Sequence, residues 1–85
     1  ALNKLEVKEA LRIFTKISKA EPYNYLAQTF LGLCHLLMKK DKQLGETLIR
    51  DAMDSSDDEA VKHLGEVSLK WMEEYYKKEE KAPFF

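Results

Sequence analysis

Few residues of this chain could do chemistry, and their spacing argues against most of it. Cys34 and His35 stand side by side, which invites a nucleophile and base. Neighbouring residues on a helix point about 100° apart and do not face each other. No third group with an orienting role sits close by in sequence, so the pair reads as a buried structural thiol beside a packing histidine. His63 stands far from both, and two histidines with one cysteine, all scattered, do not make a zinc site. Asp54, Asp57, Asp58 and Glu59 raise calcium. The stretch lacks the alternating acids, the central glycine and the closing glutamate of a calcium loop. It suits the acid-rich start of a helix, where the dipole favours negative charge. There is no glycine-rich phosphate loop, no Ser-His-Asp pattern and no paired-acid arrangement. The sequence thus predicts a non-enzyme with no catalytic residue, no metal and no cofactor.

Charge and composition narrow the remaining classes. The 85 residues are 45% hydrophobic and 34% charged, with a net charge of −1, which exerts no general pull toward nucleic acid or membrane. The charge is uneven. Residues 1–20 carry Lys4, Lys8, Arg12, Lys16 and Lys19 against Glu6 and Glu9, a balance of +3. Residues 51–85 carry ten acids against five lysines, a balance of −5. The basic stripe has no interleaved exposed aromatics and shares its helix with two acids, so it reads as a solvated face rather than a nucleic-acid surface. Such polarity can still orient an encounter with a protein. A lone Cys34 rules out an internal disulfide and fits a reducing, cytoplasmic setting. No signal peptide, transit peptide or membrane-spanning segment is evident.

These residues sit on helices. The stretch Leu26 to Met38, LAQTFLGLCHLLM, has ten apolar or small residues among thirteen, and no proline. Gln28, Thr29 and His35 interrupt it, and it is too short to span a bilayer. A helix apolar nearly all round is central in a core or awaits a partner. The first helix is expected from a capping-box-like pair, Asn3 and Glu6, to about Lys19, with Val7, Ala10, Leu11, Phe14, Ile17 and Ser18 at helical spacing. Pro22 ends it. The second is expected from about Tyr25 to Lys39, followed by a cluster of Lys39, Lys40 and Lys42. The third is expected from about Gln43 to Asp54, with Leu44, Leu48, Ile49, Ala52 and Met53 inward. Ser55 to Asp58 is rich in helix-capping residues. The fourth runs from about Asp58 to Glu80, with Ala60, Val61, Leu64, Val67, Leu69, Trp71, Met72, Tyr75 and Tyr76 as its apolar face. One helical domain is expected over residues 1–85, with 81–85 a flexible tail. No strand or hairpin signal competes.

A repeat runs through these helices. Ala10, Phe14 and Pro22 have the spacing of the back half of a tetratricopeptide repeat, and Leu31-Gly32 followed by His35 resembles the front half of the next. Gly45, Ile49 and Ala52 repeat the spacing of Ala10, Phe14 and Ile17 thirty-five residues later, and Leu64-Gly65 echoes Leu31-Gly32. Small residues let helices approach and large ones fill the gap. On these residues the chain resembles a tetratricopeptide-repeat protein. The departures are Gln28, where a tryptophan is usual, His35, where an aromatic is usual, and Asp57, where a proline is usual. The resemblance implies an all-α, right-handed stack of antiparallel helix hairpins. It implies the second helix of one repeat, one complete repeat and a long capping helix.

A narrower resemblance lies in FLGLCHLL, a basic-to-polar loop and LIRDAMDSSDDEAV. This looks like the C-terminal part of the small repeat-like co-chaperones of type III secretion. Those proteins hold the needle subunit, together with a second small helical chaperone, until export. In such repeats the first helix of each pair lines the concave groove. Peptide-carboxylate-binding relatives place Lys and Asn there; this chain offers Leu26, Thr29, Leu33, Leu36 and Leu37. A groove so lined suits the apolar face of an amphipathic helix. Trp71, Tyr75 and Tyr76 read as aromatic anchors or a capping face, and Trp71 and Tyr75 join the candidate partner-binding set. The function implied is a chaperone that holds a small helical partner and prevents premature polymerisation. The alternative is a structural adaptor or oligomerisation domain excised from a longer tetratricopeptide-repeat protein.

Overall fold

The computed structural model describes residues 4–38 and 41–81. The described residues form four helices: α1 (Lys4–Ala20), α2 (Tyr25–Met38), α3 (Lys42–Ser55) and α4 (Glu59–Lys81), with no strand among them. The expected pair Asn3 and Glu6, the lysines at 39 and 40 and the tail fall wholly or partly outside the described residues. Of the tail expected at 81–85, only Lys81 is described, and its backbone belongs to the end of α4.

Local chemistry sets each boundary. α1 closes with the Glu21 amide donating to the Ile17 carbonyl at 2.7 Å, one residue before Pro22. Asn24 opens α2, its Oδ1 accepting from the Ala27 amide at 3.0 Å. Asp41 does the same for α3 through the Leu44 amide at 2.9 Å. Asp58 does so for α4 through the Ala60 amide at 2.8 Å. Such side-chain acceptors satisfy amides that have no partner within the helix. Ser56 leaves α3 in an extended conformation.

The four helices make an all-α stack of helix hairpins joined by short connections, which place successive helices side by side and antiparallel. α2 is the centre: it packs on α1, on α3 and on α4. α3 also packs on α4, while α1 packs on α2 alone among the described residues. The reason lies at one crossing. Gly32 of α2 and Gly45 of α3 are both buried and meet backbone to backbone. Leu36, Ile49 and Met72, one from each of α2, α3 and α4, close the core behind them, with Met53, Leu69 and Tyr76 against it. Ile49 is fully buried and reaches both Gly32 and Gly65. On the other side of α2, Phe30 stacks on Phe14 of α1, centroids 5.2 Å apart.

Two expectations about facing are corrected. Leu44 is 40% exposed rather than inward. It lies about 100° round the helix from Gly45, the residue that meets α2. The apolar face of α4 is split: Val61 and Met72 are buried, while Val67 and Trp71 point outward.

Candidate partner-binding surface

α2 packs on α1 with one face and on α3 and α4 with another, and the leucines between those two faces are the candidate site. Gly32 and Leu36 turn to α3 and α4. Ala27 and Cys34 are buried about half a turn away, on the side of Phe30 and α1. Between these faces Leu26, Leu33 and Leu37 lie within about 40° of each other round the helix. Leu26 is 38% exposed, and Leu33 and Leu37 are half-buried. The three make one narrow leucine stripe along α2.

Thr29 and Leu36 do not belong to that stripe. Both are fully buried, so the expectation that they line a groove is corrected. The Thr29 hydroxyl donates to the Tyr25 carbonyl at 2.8 Å, which satisfies it without an outside partner. Leu36 is the α2 residue of the core. Trp71 and Tyr75 stack on each other, centroids 4.7 Å apart and nearly parallel, on an outer flank of α4. Trp71 is 36% exposed and Tyr75 half-buried. They are on a different helix from the leucine stripe.

Two residues take roles that the sequence did not assign them. Gln28, which stands where a repeat tryptophan is usual, ties α2 to α3. Its Nε2 donates to the Leu48 carbonyl at 2.9 Å and to Asp51 Oδ2 at 3.0 Å. Tyr76 of α4 donates its hydroxyl to the Leu36 carbonyl at 3.0 Å, in the last turn of α2. The Lys42 ammonium lies over its ring, 4.9 Å from the centroid. The departure at position 28 and the phenol of Tyr76 were the available signals, and neither has a partner identifiable from spacing.

Cys34 is buried, and burial pushes its thiol up and away from the thiolate. His35 is half-buried on the neighbouring position. Asp58 caps α4, and Asp54 and Asp57 are exposed beside it. Among the described residues no three His, Cys, Asp or Glu side chains are grouped as a metal would need. None of the described helices is long and apolar enough to cross a membrane. On α1, Arg12 pairs with Glu9, which lowers the Glu9 carboxyl's affinity for protons. The chain matches no family model, no curated protein and no solved structure.

Proposed function

We propose that this protein is a non-enzymatic binding module that holds the apolar face of an amphipathic helix from a small protein partner. The observation that carries this reading is the partly exposed stripe of Leu26, Leu33 and Leu37, three leucines in line on a helix that packs on α1, α3 and α4. Spacings of seven and four residues match the seam of a helix-in-groove contact. Holding is steric: apolar residues that the partner needs for its own assembly are buried on α2 instead. The resemblance to the needle-subunit co-chaperones supplies the partner class, a small self-assembling helical subunit, together with a second small helical chaperone. The single, buried Cys34 accords with a cytoplasmic setting.

The test is native co-purification from the source cell with intact-mass analysis of what stays bound. One small helical subunit, with or without a second small chaperone, supports the reading. Leu26→Asp and Leu33→Asp release that subunit while the helical circular dichroism is kept. Retention of the subunit by both variants rules out the stripe as the binding surface.

A further inference from the structure

α1 and α4 each carry an apolar seam that the described residues leave partly open. On α1, Ala10, Ile13 and Ile17 follow a spacing of three and four; Ile13 is 43% exposed, and the other two are half-buried. On α4, Leu64, Val67 and Trp71 follow the same spacing; Val67 is 51% exposed and Trp71 is 36%. Each set lies along one flank of its helix, beside the face that packs within the chain.

We infer that the occupant of each seam is the other seam on a second copy, so that α4 of one molecule packs antiparallel on α1 of the next. Three observations commit to this occupant. First, the order of the fold continues: every connection inside the chain joins antiparallel neighbours, and α1 laid on α4 adds one more hairpin step. Second, the side chains complement each other in size. With Ile13 centred on Val67, Trp71 comes within one residue, about 1.5 Å of rise, of facing Ala10, and Leu64 within one residue of facing Ile17, a small residue near the largest and branched residues near each other. Third, the two ends differ in charge, +3 over residues 1–20 and −5 over 51–85, so unlike ends attract and like ends repel. In this register Glu9, paired with Arg12 within one copy, comes beside Lys70 of the next. Glu6 and Glu74 fall at the open end of the seam, where water screens them. The contact joins two different patches, so it is heterologous and builds open chains of molecules rather than a closed dimer. It leaves the leucine stripe of α2 outside and does not depend on the partner reading.

The experiment is sedimentation velocity of the chain and two variants, Ile13→Lys and Trp71→Lys, from micromolar to sub-millimolar concentration. Circular dichroism first establishes that each variant keeps the wild-type helix content and melts cooperatively. Both substituted positions are surface-exposed; Val67→Lys stands in for Trp71→Lys, and Ile13→Glu for Ile13→Lys, where the first choice does not fold. The wild type gains mass steadily with concentration. Each variant alone stays a monomer, since one of its two ends is blocked. Mixed in equal amounts, Ile13→Lys and Trp71→Lys form a one-to-one dimer and stop there, because each supplies the end the other lacks. A wild type that stays monomeric throughout overturns the inference. So does an Ile13→Lys variant that still dimerises by itself, which means that α4 pairs with α4.

Discussion

Gly32 and Gly45 face each other across the α2 and α3 crossing so closely that a methyl group on either would lie 2.7 Å from the carbonyl oxygen of the other. The relation is reciprocal. Neither position has room to yield, because the obstacle is backbone and not the end of a side chain. Overpacking of this kind costs about 1–3 kcal/mol. The gain in helix propensity from glycine to alanine returns at most about 1 kcal/mol.

Gly32→Ala and Gly45→Ala are each therefore expected to lower unfolding free energy by about 1–2 kcal/mol. The double variant loses less than the sum, because helices already pushed apart accommodate the second methyl. Gly65→Ala is the control. Its methyl meets the flexible Met53 side chain, and the change stays within about 1 kcal/mol. Urea denaturation of the four variants checks this; full additivity at Gly32 and Gly45 contradicts a shared contact.

Tyr76 holds the end of α2 from forty residues away. Its hydroxyl reaches the Leu36 carbonyl, one of the last-turn acceptors that a helix leaves unpaired. Tyr76→Phe keeps the ring, its packing and its place under Lys42 and removes the hydroxyl that makes this bond. The expected loss is about 1 kcal/mol. Tyr76→Ala also removes ring burial and the cation–π contact and costs several times more. A Tyr76→Phe variant as stable as the wild type would mean the hydroxyl contributes nothing, and equal losses in the two variants would mean the ring adds nothing to it.

The helices were legible in sequence to within one or two residues, because their punctuation is local. Pro22, Ser56 and Asp58 act where they stand. Rotation of each helix was less legible. α2 is apolar nearly all round, so its periodicity carries no phase, and Leu26, Thr29, Leu33, Leu36 and Leu37 could only be grouped together. The meeting of Gly32 with Gly45 sets the phase, turning Leu36 inward and leaving Leu26 out. Leu44 turns outward because it stands one position from Gly45, the small residue that makes the crossing. Gln28 and Tyr76 act through partners 20 and 40 residues away, a separation that no spacing rule covers.

Cys34 should resist alkylation in the native protein and react fully once unfolded, since the thiolate is the reactive species and burial disfavours it. The same burial sets a pH dependence. The folded thiol titrates above the unfolded one, so its contribution to stability is complete below the ordinary thiol range and is lost as pH rises through the raised value. The difference in unfolding free energy between wild type and Cys34→Ala should be flat at neutral pH and shrink on the alkaline side. A difference that grows with pH would reverse the assignment.

α1 is the helix with the fewest neighbours. It packs on α2 alone, and Val7 is its only fully enclosed side chain among those described. Its firmest tie is the stack of Phe14 on Phe30. α2, α3 and α4 by contrast share the Leu36, Ile49 and Met72 core, which α1 does not enter. Regions that bury little open at lower free energy than the core. In dilute protein, amide exchange of α1 should run well ahead of that in α2 and α3. Phe14→Ala removes a half-buried ring and one aromatic pair, a loss of about 2 kcal/mol. That loss should fall on α1 first, baring its amides to exchange while α2 and α3 keep most of their protection. Exchange that speeds equally in all four helices would mean instead that α1 unfolds only with the whole, and that the Phe14 stack serves the core directly.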